Sequence, residues 1–133
     1  GWSPHRMETA LLAEDEPAIR SLAAEVLRRQ GYTVLEAVDG EEALRVAQEH
    51  LGEEIHLLLA DVIMPRMDGR QLARRLKSLM PRMRVLFTSG LPAPGGVPDG
   101  DLGDGITFLP KPFTPAVLAQ RVREVLDAPD PGL

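Results

Sequence analysis

The chain reads as a doubly wound α/β domain, a parallel five-stranded sheet with helices on both faces, and three observations lead there. Short apolar runs alternate with segments of helical period along the sequence. The runs are uninterrupted, as in LLLA at 57–60, which suits strands buried on both faces. Two of the runs end in carboxylates, LLAED at 11–15 and LLLAD at 57–61, where such a sheet places its ligand site.

The elements follow in order. Thr9 to Ala13 is apolar and reads as the first strand. After it, Ile19, Leu22, Ala23, Val26 and Leu27 recur at helical spacing and define an inward stripe. Pro17 suits the first helical position and Gly31 the residue just past the end. The cycle repeats with Tyr32 to Val38 as a strand, DGEEALRVAQEHL as a helix, and Ile55 to Ala60 as a strand running into Asp61. GRQLARRLKSLM is the third helix, closed by Pro81, and Arg84 to Thr88 the fourth strand. ITFLP makes the fifth strand and PAVLAQRVREVLD the last helix, with Leu118, Val122 and Val125 facing inward.

One segment interrupts the pattern. LPAPGGVPDGDLGDG, 91–105, holds three prolines and five glycines, so a regular helix there would cost several kcal/mol on propensity alone. The helix due between strands four and five, the fourth of the cycle, is therefore expected to be shortened or replaced by a loop.

Composition bounds the function. A length of 133 residues with 44% hydrophobic content supports one core, and the absence of cysteine leaves a site built from oxygen and nitrogen ligands. Twenty acidic and 15 basic residues are mixed to a net charge of −5, with no basic tract to neutralise a row of phosphates. No apolar run approaches the roughly 20 residues needed to span a bilayer, and GWSPHRMETA lacks a signal-peptide centre. A cytoplasmic location fits. Residues 1–8 read as a linker or tail, 9–128 as the domain, and 129–133 as a C-terminal tail.

The candidate site lies beyond the strand ends. Glu14 and Asp15 end strand one, Asp61 strand three; Thr88 and Lys111 occupy the equivalent places after strands four and five. Neighbouring first and third strands would crowd three acids, each pair repelling by about 4 kcal/mol at about 4 Å and an effective dielectric near 20. Oxygen ligands with room for water suit Mg²⁺. Lys111 would add a second positive charge, and Asp61 becomes a candidate nucleophile toward phosphorus.

EDEP at 14–17, DVIMPRMDG at 61–69, FTSG at 87–90 and KPF at 111–113, in that order on this alternation, resemble the receiver domain of two-component response regulators. The resemblance covers about Thr9 to Asp127. It implies a flavodoxin-like sheet of order 2-1-3-4-5 and makes Asp61 the phosphoacceptor, taking its group from phosphohistidine on a sensor histidine kinase or histidine phosphotransfer domain. It further implies Mg²⁺ held by Asp15 directly, Glu14 through water, Asp61, and the Ile63 backbone carbonyl. Thr88 would hydrogen-bond the phosphoryl oxygen, Lys111 would pair with it, and Lys111-Pro112 would be cis. Phe108 falls where the family carries an aromatic switch coupled to Thr88, though without the hydroxyl of the commoner tyrosine.

FTSG and FLPKPFTPAVLAQRVREVLD look most like receivers of hybrid histidine kinases, which would make this segment a phosphoacceptor without enzyme turnover beyond slow autodephosphorylation. A stand-alone regulator and a pseudo-receiver without phosphotransfer stay open, with the oligomeric state. Glu14 replaces the commoner aspartate but keeps its charge. A haloacid-dehalogenase-like enzyme would need a second aspartate where Ile63 stands, and a dinucleotide-binding domain a glycine-rich turn where EDEP stands. Alone, each residue has a plain role: Asp61 as a turn former, Lys111 on the surface, Thr88 at a strand end, Phe108 in the core. Met64, Met67, Met80 and Met83 read as gap-fillers, and His5, His50 and His56 as solvent or structural residues.

Overall fold

The computed structural model describes residues 8–90 and 106–129. Among these residues nine elements follow one another: β1 (Thr9–Ala13), α1 (Pro17–Arg29), β2 (Thr33–Ala37), α2 (Gly40–Glu49), β3 (Leu57–Asp61), α3 (Gly69–Leu79), β4 (Arg84–Ser89), β5 (Ile106–Pro110) and α4 (Pro115–Asp127). The strands form one parallel sheet ordered β2-β1-β3-β4-β5. This is the flavodoxin-like order the sequence implied. The expected loss of a helix concerns 91–105, which lies outside the described residues, as do most of the two expected tails.

Alternation along each strand divides the core. Leu11, Leu58, Ala60, Val85 and Phe87 pack with α2 and α3 on one face, while Ala10, Leu12, Leu57, Leu59 and Leu86 pack with α1 and α4 on the other. Every residue of β3 is buried, because this middle strand has neighbours on both edges and helices on both faces. Burial of each leucine side chain stabilises the fold by roughly 1.5–3 kcal/mol.

The helix boundaries have local causes. Pro17 opens α1, and Gly31, at φ 98°, follows its end. There the Tyr32 and Gly31 amides donate to the Leu27 and Arg28 carbonyls, satisfying groups the helix leaves open. Asp39 caps α2 by accepting from the Glu42 amide at 2.8 Å. Asp68 and Gln71 form a reciprocal cap on α3, and Thr114 caps α4.

Two details depart from the sequence reading. Leu22, assigned to the inward stripe of α1, is exposed, and Ala24 takes an inward place beside Ala23, Val26 and Leu27. β3 begins at Leu57, and His56 before it accepts the Thr9 amide on Nδ1 at 3.0 Å, a structural role as expected. At the outer edge of the α1–α4 face, Arg123 reaches Glu8 at 2.8 Å and the Tyr32 hydroxyl at 2.9 Å. Burial raises the Tyr32 pKa against the opposing Arg123 charge. Among the described residues, no helix is long and apolar enough to cross a membrane.

Candidate functional site

The parallel register delivers the site. Ala13 pairs with Ala37 and Ala60, so β1 and β3 end side by side and Glu14, Asp15 and Asp61 leave the sheet together. Asp61 is the last residue of β3, directly opposite Thr88 on β4. Lys111 follows β5, its amide donating to the Ser89 carbonyl at 2.8 Å. The adjoining Lys111-Pro112 bond is cis.

One carboxylate oxygen from each of Glu14, Asp15 and Asp61 lies within 4.8 Å of the other two. Glu14 and Asp61 are buried, whereas Asp15 is exposed and leaves the cluster open on its side. Lys111 Nζ reaches Asp61 Oδ2 at 2.7 Å, Glu14 Oε1 at 2.9 Å and Glu16 Oε1 at 3.4 Å. The other Asp61 oxygen accepts the Ile63 amide at 3.1 Å, and the other Glu14 oxygen the Glu16 amide at 3.1 Å. Each buried acid is therefore oriented at both oxygens, as burial of charge requires.

The electrostatics show a shortage of positive charge. Burial raises the Glu14 pKa, opposed mainly by the hydrogen bond from Lys111, with Asp61 adding to the rise. Burial alone would lower the Lys111 pKa, yet hydrogen bonds to Asp61 and Glu14 raise it far above its ordinary value and keep the ammonium charged. One ammonium faces three clustered carboxylates. A small cation with oxygen preference fits that donor set and would relieve Glu14, so the residues present suit Mg²⁺.

The loop from Val62 to Asp68 is held tightly. The Val62 amide donates to the Thr88 carbonyl at 3.0 Å, and the Gly69 amide to the Val62 carbonyl at 2.8 Å. A Cβ on Gly69 would collide with the Asp61 carbonyl, so glycine permits α3 to start against the end of β3. The Ile63 side chain projects to solvent at 58% exposure.

Thus Glu14, Asp15, Asp61 and Lys111 converge, and Thr88 is buried beside Asp61. Phe108, on β5, is half-buried, its ring 5.5 Å from Phe87 and tilted by 37°. Sequence reasoning missed Glu16, which meets Lys111, and Arg20, whose guanidinium donates to the Glu14 carbonyl at 2.7 Å. Their spacing of two and six residues from Glu14, across a strand-to-helix turn, was the available signal. Arg66 and Asp39, joined across 27 positions, carried none.

Comparison with known proteins agrees with this geometry. A family profile described as response regulator receiver domain matches residues 10–123. The chain is 40% identical over 122 residues to the sensor kinase CckA of Brucella abortus (strain 2308), covering 92% of this chain and 13% of that protein. It is 35% identical to the response regulator receiver protein CpdR of the same organism, covering 92% of this chain and 99% of that one. A crystal structure of the receiver domain from the hybrid histidine kinase CckA superimposes with a TM-score of 0.75 and 44% identity, over 90% of this chain and 99% of that one.

Proposed function

This chain belongs to the response regulator receiver family of two-component signalling, and on that footing we propose that Asp61 accepts a phosphoryl group from a phosphohistidine, with Mg²⁺ as cofactor. The observation that carries the reading is the gathering of Glu14, Asp15 and Asp61 within 4.8 Å, with Lys111 Nζ at 2.7 Å from Asp61. A lone turn-forming aspartate needs neither a half-buried lysine held against it nor two further acids.

In the proposed step an Asp61 oxygen forms a bond to phosphorus while the bond from phosphorus to the donor imidazole nitrogen breaks, its electron pair leaving with that nitrogen. The charge on the transferring group spreads over its three equatorial oxygens, so catalysis is positioning plus electrostatic stabilisation. Lys111 supports that charge from the β5 side, and Thr88, opposite Asp61 in register, offers a hydroxyl on the β4 side. Glu14, Asp15, Asp61 and the Ile63 carbonyl would hold Mg²⁺, which when bound offsets the charge of the acids and of the phosphoryl oxygens. Phe108, half-buried beside Phe87, is the proposed aromatic switch coupled to Thr88.

The same reading makes this segment a phosphoacceptor rather than an enzyme with turnover of its own, acting in the cytoplasm with a histidine kinase or a histidine phosphotransfer domain. Identity to a segment that forms 13% of a sensor kinase favours a hybrid-kinase parent. The match over 99% of CpdR supports a stand-alone regulator as the second reading.

The test is intact-mass spectrometry after incubation with acetyl phosphate, with and without Mg²⁺, on the wild type and Asp61→Ala. The expected result is a Mg²⁺-dependent gain of one phosphoryl group, absent from the variant. No gain, together with failure to bind BeF₃⁻, would leave a docking module of receiver shape. Full labelling of Asp61→Ala would remove Asp61 from its role.

A further inference from the structure

Among the described residues, Arg66 is the one residue other than glycine with a positive φ, at 69°. It is the centre of a three-residue turn closed by the Met67 amide on the Pro65 carbonyl at 2.8 Å. Such a turn is rare and persists only where its surroundings enforce it. The turn sits in the loop that joins Asp61 to α3, two residues beyond the Met64 that anchors this loop in the core.

What enforces the turn comes from another element. Arg66 Nε and Nη2 converge on Asp39 Oδ2 at 2.9 and 2.7 Å, while Asp39 Oδ1 caps α2 through the Glu42 amide. The Asp39 carboxylate is only 5% exposed and so needs both partners. Glu41 Oε1 lies 3.4 Å from Arg66 Nε on the same side. Next to the pair, Gly40 meets Met67 so closely that a Cβ would collide with the Met67 carbonyl. The loop after Asp61 is thus gripped by the start of α2 at its positive-φ residue and at the residue that follows it.

We propose that Arg66 is a positioning residue for the phosphoacceptor site: through Asp39 it fixes the loop that carries the Ile63 carbonyl against α2, and so sets how well Asp61 and that carbonyl serve one metal ion. The inference rests on the proposed function, and it gives Arg66 no contact with the phosphoryl group. Arginine suits the task because its planar donors can meet a buried carboxylate from an exposed stem.

The test compares wild type, Arg66→Gly, Asp39→Asn and the double variant by calorimetric titration with MgCl₂ and by the rate of labelling from acetyl phosphate. Glycine accepts the backbone at φ 69°, and asparagine still caps α2, so both variants remove the grip while sparing the fold. Each single variant is expected to weaken Mg²⁺ binding by about fivefold, below what is usual for loss of a direct support to a metal ligand. The double variant is expected to be no weaker than either, because one interaction is removed twice. Single variants within about twofold of wild type, or a double variant weakened by the product of the two, would overturn the proposal while leaving the function intact. A wild type that takes neither Mg²⁺ nor a phosphoryl group would overturn both.

Discussion

Replacing Lys111 by methionine removes the ammonium while keeping a stem of similar length, and its effect can be worked from the distances. At 2.7 Å from Asp61 and 2.9 Å from Glu14, each attraction is about 6 kcal/mol at an effective dielectric near 20. The three carboxylates, within 4.8 Å of one another, repel by at least about 3.5 kcal/mol per pair on the same scale. Attraction and repulsion nearly cancel in the wild type, and the variant keeps only the repulsion. Exposed Asp15 can swing outward and Glu14 can take up a proton, so the expected net loss is about 3 kcal/mol, the lower end for breaking a buried ion pair. Urea unfolding in EDTA reads it as a midpoint lowered by about 1–3 M. Saturating MgCl₂ should then stabilise Lys111→Met more than the wild type by about 1–2 kcal/mol, because the cation replaces the missing charge. A variant within about 0.5 kcal/mol of the wild type in EDTA, or an equal gain from Mg²⁺ in both, would refute the claim that Lys111 balances this cluster.

Two further outcomes are expected. Gly69→Ala places a methyl group against the Asp61 carbonyl, so unfolding should show a loss of about 1–3 kcal/mol and acetyl phosphate labelling should slow. Asp39 has a carboxyl pKa lowered from 3.8, first by the Glu42 amide and then by Arg66. A carboxyl held low stabilises the fold above its unfolded value and loses that contribution as pH falls through its folded value. Glu14, raised from 4.5, acts in the opposite sense, becoming easier to bury as pH falls. The stability difference between wild type and Asp39→Asn therefore isolates the Asp39 limb; it should shrink below about pH 4 and stay flat above about pH 5.

The sequence exposed the fold because its signals are local and agree. LLLA suits a strand in a sheet covered on both faces, and Pro17, Asp68 and Thr114 mark helix starts by their own chemistry. α1 shows the limit: Leu22 and Ala24 fit its periodicity almost equally, and only the packed sheet selects the small alanine. The site was legible as far as it depends on strand ends, since a parallel register carries Glu14, Asp61, Thr88 and Lys111 to one edge. What stayed hidden is pairwise. Asp39 before a helix and Arg66 in a turn each have an ordinary local reason to be there, and nothing in their sequence separation announces a 2.7 Å bond. Arg20 likewise looks like a solvated helix residue until α1 lies across the end of β1.

The middle place of β3 bears on when the site can lose its shape. A strand paired on both edges and covered on both faces releases its amides to solvent only when the whole domain opens, so hydrogen exchange along Leu57–Asp61 should be among the slowest in the molecule. Asp61, the proposed acceptor, then behaves as a fixed post, as durable as the domain itself. Any response to the proposed phosphorylation is left to the parts that open more cheaply around it: the exposed turn at Asp15, and the edge strand β5 that bears Phe108 and leads to Lys111.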